Sequence, residues 1–306
     1  MTTVRGISDV GVRGLLAAAA LVTIVYTPPA AGLLRAQGGE AGPLPSIAAI
    51  EALLPGGIAP LVIMVPAGTS AVTATAFGDT IHLASVSPQR WDGLLGVDLD
   101  QKPGTYEVSV SITGAGGARA TARAPFVVKP RHYMTRKLTV GGQFVDPSPA
   151  ELARIKEESA RTAVIYAGVS ERRWDGPFAA PVQGQATGNF GSRSVFNGQP
   201  RAPHAGIDYR GAVGTPVLAP GPGRVALAEN LFFTGNTVIL DHGLGLFSMY
   251  AHLSRIEVAV GQNVTGGAPL GLVGATGRVT GPHLHWAMRL GRARIDPALA
   301  LQVLGR

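Results

Sequence analysis

Tyr106-Glu107-Val108-Ser109-Val110-Ser111-Ile112 alternates apolar and polar side chains with a period of two. Successive side chains of a strand point to opposite faces, so this stretch reads as a strand with one buried face. Ahead of it, Lys102-Pro103-Gly104-Thr105 is a turn signal; after it, Gly114 to Gly117 turns the chain into a second run, Ala120 to Val128. Further outward lie Pro60-Leu61-Val62-Ile63-Met64-Val65-Pro66, the small-and-polar alternation Ala71 to Phe77, and Gly96-Val97-Asp98-Leu99-Asp100. Short strands between turn signals predict a small immunoglobulin-like sandwich over 58–130. His82 and Asp79 stand alone in it and read as surface or packing residues.

Composition agrees with a mainly β chain. Of 306 residues, 42 are Gly and 23 are Pro, which disfavours long helices. Hydrophobic residues make up 46% and charged ones 15%, which excludes a mostly disordered chain. There is no Cys. Thiol catalysis, disulfides and Cys-based metal sites are therefore excluded, and any metal must be held by His and carboxylates. Residues 1–32 read as a cleaved secretory signal, with Arg5 and Arg13 ahead of the apolar run Leu15 to Tyr26. That run is short of the ~20 residues a membrane span needs, so the mature protein is expected to be exported, with no stable span. Residues 33–57, rich in Gly, Ala and Pro, are expected to be a poorly ordered lead-in.

Residues 131–178 read as a linker carrying one short helix, about 149–163. Ser148-Pro149-Ala150-Glu151 has capping-box spacing with Pro at the first helical position. The helix is mostly polar, so Glu151, Glu157 and Glu158 are expected on a solvated face and not as catalytic carboxylates. From 179 to 306, Gly and Pro punctuate short apolar runs such as Thr237-Val238-Ile239-Leu240, which predicts a compact antiparallel β domain. Its basic residues are all Arg and outnumber the acidic ones, ten to five. This suits an anionic polymer, but there is no nucleic-acid motif, and export argues against DNA.

Five of the seven His fall in this last domain. His283 and His285, two apart, point to one face of a strand. His204 and Asp208 share parity but would be ~13 Å apart in a straight strand, too far for one ion, so the chain must bend between them, and Gly206 permits that. His252 follows an apolar run. Two His and one carboxylate make a common catalytic zinc set with a fourth position for water. Spare His residues can then take the water's proton and hydrogen-bond the developing oxyanion. The spacing does not tell His283 from His285 as the ligand.

At these residues the chain resembles the LytM-type, lysostaphin-like M23 zinc metallopeptidases. The resemblance covers about Pro177 to Pro297, some 120 residues, and runs in family order. It includes Phe190-Gly191-Ser192-Arg193, His204-Ala205-Gly206-Ile207-Asp208-Tyr209, Gly214-Thr215-Pro216-Val217, Asp241-His242-Gly243, Tyr250-Ala251-His252-Leu253, Gly274-Ala275-Thr276-Gly277 and Gly281-Pro282-His283-Leu284-His285. It implies a C-terminal antiparallel β metallopeptidase domain with one zinc ion per chain on His204, Asp208 and His285. It implies His252 and His283 as the catalytic pair. It also implies an endopeptidase cutting peptide cross-links of peptidoglycan, with stem peptides as partner, in the periplasm or cell envelope. The bond cut and the oligomeric state stay open. Some relatives are non-catalytic regulators that activate a cell-wall amidase; all five positions are intact here, and the long coiled coil common in such regulators is missing. In some relatives an Asn blocks the metal site of an inactive precursor; for Asn197, a turn residue before Gly198 is the plainer account. His242, in a turn motif, is expected to be structural.

Overall fold

The computed structural model describes residues 44–138, 147–187, 190–196, 199–200 and 202–305. The expected signal over 1–32 and Asn197 lie outside the described residues. Two four-stranded sheets form the N-terminal part. One orders Ser46–Ile47, Ile58–Met64, Arg90–Gly96 and Leu83–Ser87; the other Asp79–Ile81, Ala71–Ala76, Gly104–Thr113 and Arg119–Val128. The alternating stretch pairs in full: Tyr106 to Ile112 run antiparallel to Phe126 to Ala120. Its inward residues Val108, Val110 and Ile112 share one core with Leu61, Ile63 and Leu95 of the other sheet.

The poorly ordered lead-in needs correction within its described part. Ser46 and Ile47 pair with Met64 and Ile63, and Leu53 is buried beside Val128. The edge of the Ile58–Met64 strand gives this Gly- and Pro-rich segment backbone partners that composition alone does not reveal.

The C-terminal part is built on an antiparallel seven-stranded sheet. Its order is Gly206–Arg210, His283–Leu290, Leu246–Leu253, Gly235–Gly243, Gly223–Leu231 and Asn263–Val264, with Ala293–Ile295 also pairing to His283–Leu290. One face is the main core, with Tyr250, Trp286, Leu284 and Leu246 fully buried. Within it runs a polar chain. His242 Nδ1 lies 2.6 Å from the Pro222 carbonyl, its Nε2 2.7 Å from Ser248 Oγ, and Ser248 Oγ 2.7 Å from the Tyr250 hydroxyl. A carbonyl only accepts, so Nδ1 carries the proton. Burial pushes the His242 pKa down to about 4, leaving Nε2 to accept from Ser248, which accepts in turn from Tyr250.

The sandwich shares this core. Ile58, Leu94 and Leu99 belong to it, and Gly56 O accepts from Asp296 N at 2.8 Å. Arg294 pairs with Asp98 and Asp100, and Arg131 with the buried Asp296 that caps the Pro297–Leu304 helix.

The other sheet face, carrying Phe247, Met249 and Ile239, is met by the helix Pro149–Ala167. Its capping box forms: Ser148 Oγ accepts from Glu151 N, and Glu151 accepts from Ser148 N. The helix runs a turn beyond 163 because Ile165 and Tyr166 pack on Phe247 and Met249. Nor is its acidic face wholly solvated. Glu158 is buried, and its carboxylate accepts from Arg154 and from the Phe232 backbone N–H, at 2.6 and 2.8 Å. These bonds fasten the helix to the sheet and compensate the carboxylate for lost water. No helix among the described residues is long and apolar enough to cross a membrane.

Candidate active site

The register of two neighbouring strands brings Asp208, His283 and His285 together. Gly206–Arg210 runs antiparallel to His283–Leu290 with Asp208 directly opposite His285 and Arg210 opposite His283. Directly opposed side chains share a face, so Asp208, His283 and His285 converge. His204 lies just before the strand, its backbone fixed on the 191–192 segment by Gly191 N–His204 O and His204 N–Ser192 O bonds of 2.8 and 2.9 Å. The bend that the spacing requires thus falls ahead of Gly206. Gly206 serves a different need from the one expected: a Cβ there would sit 2.5 Å from the Trp286 carbonyl and 2.7 Å from His285 Cε1. Its missing side chain makes room for the His285 ring.

Three atoms come together. Asp208 Oδ1 lies 3.1 Å from His204 Nε2 and 3.0 Å from His285 Nδ1, and the two nitrogens are 2.8 Å apart. A tetrahedral ion with bonds of about 2.1 Å separates its ligand atoms by about 3.4 Å, so this triangle fits a small divalent metal to within about half an ångström. The protonation states also suit one. Burial alone would raise the Asp208 pKa, but hydrogen bonds from His204 and His285 hold it well below the usual carboxylate range. Burial lowers the pKa of His285, and the neutral imidazole is the form that gives up its Asp208-bound proton when a metal takes its place.

His252 and His283 flank this triangle. Their rings are 4.9 Å apart, and His283 Nε2 is 3.9 Å from Asp208 Oδ1. Each spends Nδ1 on a backbone carbonyl: His252 on Thr276 O and His283 on Gly281 O, both at 2.8 Å. Both therefore carry their proton on Nδ1 in the neutral form and hold Nε2 as a free base. Burial, then the neighbouring His285, pushes the His252 pKa down to about 3.

His252 reaches the site against strand parity. Alternation along Leu246–Leu253 would send it to the core face with Tyr250, while Ala251 faces the site opposite His285. Instead its backbone is left-handed, φ 64°, and the strand changes phase so that Leu253 enters the core. Left-handed backbone in a residue with a Cβ is strained, a cost met here where it re-aims a side chain. The residues that hold it there carry no sequence signal as site residues. Thr276 supplies the carbonyl to His252, bonds Leu253 O at 2.9 Å through Oγ1, and accepts there from Asn236 N at 2.9 Å. His242 lies buried away from the triangle, and His82 and Asp79 line a cleft to which no residue of the triangle contributes.

The sequence profile of peptidase family M23 matches residues 202–297, the span that holds the whole constellation. A crystal structure of a Pseudomonas aeruginosa protein assigned to peptidase M23 superposes with a TM-score of 0.62 at 33% identity, covering 81% of this chain and 94% of that one. The chain belongs to peptidase family M23. Among curated M23 relatives, the peptidoglycan DD-endopeptidase ShyA of Vibrio cholerae is 47% identical over 87 residues, 28% of this chain and 20% of that protein. The DD-carboxypeptidase/endopeptidase Mpg of Neisseria meningitidis is 44% identical over 94 residues, 31% of this chain and 22% of that protein. The chain therefore spans about a fifth of the length of the curated relatives it matches.

Proposed function

We propose that this M23 member is a zinc metalloendopeptidase, exported to the cell envelope, that hydrolyses peptide cross-links of bacterial peptidoglycan. The observation that carries the reading is the His204–Asp208–His285 triangle, with edges of 2.8–3.1 Å, beside two imidazoles whose Nε2 atoms are free. His204 Nε2, Asp208 Oδ1 and His285 Nδ1 would hold one zinc ion. When bound, zinc supplies Lewis acidity that polarises a carbonyl and makes water a competent nucleophile near neutral pH. Asp208 stays ionised and offers its negative charge to the site. His252 and His283 act on protons. Either Nε2 can accept the proton of a water attacking the scissile carbonyl, and the imidazolium so formed can donate to the developing oxyanion or to the leaving amine. Their Nδ1–H bonds to Thr276 and Gly281 hold the rings in the tautomer this needs. Such acid–base assistance contributes ~10²- to 10⁴-fold.

The name of ShyA supports the peptidoglycan substrate, that of Mpg supports endopeptidase activity, and the apolar run after Arg13 supports export. The test is digestion of purified cross-linked peptidoglycan by the mature protein, with and without chelator. New peptide ends that disappear on chelation are expected. Zinc-loaded protein that releases none would overturn the enzymatic reading and favour a regulator of a wall amidase.

A further inference from the structure

Two cavities meet at one arginine. The first, of about 210 Å³, lies between the helix Pro149–Ala167 and the sheet and runs from Ala205 and His285 over Ala287 and Met249 to Tyr166 and Arg289. The second, a cleft of about 1020 Å³, opens between the sandwich hairpin around Gly78, the helix end at Gly168 and the tight turn Gly291-Arg292. Tyr166 and Arg289 line both. The path from the ligand triangle into the large cleft thus passes over the Arg289 side chain.

Arg289 is on the site face of its strand by parity with His283, His285 and Ala287. Four residues from His285 place it ~13 Å along the strand. Its guanidinium lies 4.6 Å from the Tyr166 ring centroid. A guanidinium held over an aromatic ring by a cation–π contact still has its five N–H donors for bidentate bonding. Among the described residues, neither Arg289 nor Arg292 has an ion pair or a hydrogen bond through its side chain. Arg294, the third arginine of the cleft, is already taken by Asp98 and Asp100. Arg289 is half-buried, and a part-desolvated cation without a counter-charge calls for an anion.

We infer that Arg289 and Arg292 form a carboxylate-binding subsite that anchors the peptide substrate about four residues from the bond being cut. The inference rests on the proposed peptidase function for the identity of the ligand. An extended peptide rises ~3.3 Å per residue, so four residues span the distance from His285 to Arg289. Wall peptides that carry free carboxylates at that remove would be favoured over those in which they are amidated. Tyr166 is the positioning residue, since its ring lies against the Arg289 guanidinium at 4.6 Å.

The test separates binding from turnover. Chelator-treated full-length protein, which cannot turn over, is titrated with purified cross-linked muropeptides, either native or with their carboxylates amidated. In the wild type, amidation is expected to weaken binding about tenfold, the effect of one charge-assisted bond. Arg289→Met should weaken binding of the native form by the same factor, and amidation should then make no further difference. Arg292→Gln, on an exposed turn, should do the same in part and guards against misfolding of the first variant. Equal affinity of the wild type for the two forms would overturn the subsite. So would variants in which amidation still costs tenfold. Cleavage by the metal-loaded wild type is scored separately, so loss of the peptidase reading and loss of the subsite are distinct results.

Discussion

The backbone at His252 offers a measurement in which strain and chemistry separate. Replacing His252 by Ala and by Gly removes the same imidazole, the same Nδ1–H bond to Thr276 O and the same contact with His283. The two variants differ only in the Cβ, which Ala keeps at φ 64°. At ordinary strand positions Gly is less stable than Ala by ~0.5–1 kcal/mol. In the left-handed region a Cβ costs ~1–2 kcal/mol, so the order should reverse, with Gly more stable than Ala by about 1 kcal/mol. Both should be less stable than the wild type by a few kcal/mol, because the carbonyl of the half-buried Thr276 loses its partner and the ring leaves a gap. Urea unfolding of chelator-treated protein reads the difference. At a slope of about 3 kcal/mol/M, the Gly variant's midpoint should lie about 0.3 M above that of the Ala variant with the slope unchanged. Both should lose ~10²- to 10⁴-fold in turnover. An Ala variant as stable as the Gly variant would refute the claim that a strained residue re-aims this side chain.

Three further outcomes are expected. His242 has a pKa of about 4 folded, against 6.5 in an unstructured chain. The unfolded state therefore takes up its proton first as pH falls, and this group's stabilising effect, complete above pH ~6.5, is lost toward pH 4 at up to ~1.4 kcal/mol per unit. Unfolding free energies across pH 4–7 should fall less steeply in His242→Gln than in the wild type, and parallel curves would contradict this. Gly206→Ala puts a methyl against His285 and the Trp286 carbonyl; chelator competition should show zinc affinity at least ~10-fold weaker, as expected when a ligand ring is displaced. His285→Ala should abolish zinc binding, whereas His283→Ala should keep zinc, measured by metal analysis, and lose ~10²- to 10⁴-fold in turnover. An empty site in His283→Ala would reverse the roles.

The strand around Val108 and Val110 was legible because its two faces differ in chemistry and the period is short. The five His and Asp positions were legible as a group because their types and spacings are unusual in a chain without Cys. What parity could not decide between His283 and His285 depends on register: Asp208 falls opposite His285 and not opposite His283. The direction of His252 was illegible for a related reason, since a single left-handed residue inverts the alternation on which such reading relies. Glu158 misled because a carboxylate in a polar helix looks solvated, and its partner is a backbone N–H more than seventy residues on, at Phe232. The pairing of Ser46 and Ile47 is not legible in sequence because their partners, Met64 and Ile63, belong to a strand whose edge is not written in the pairing segment itself.

The union of sandwich and sheet bears on how this chain can be dissected. The span matched by the family profile, residues 202–297, ends one residue past Asp296, whose backbone N–H is bonded to Gly56 O and whose carboxylate is held by Arg131. Cut out alone, that span would expose the core surface now covered by Ile58, Leu94 and Leu99 and would lose the helix fastened at Phe232. Recombinant fragments and domain-swapped chimaeras should therefore be drawn to include the chain from the first paired strand, Ser46–Ile47, onward. The unit that inherits a sequence pattern and the unit that can be transplanted are different lengths of this polypeptide.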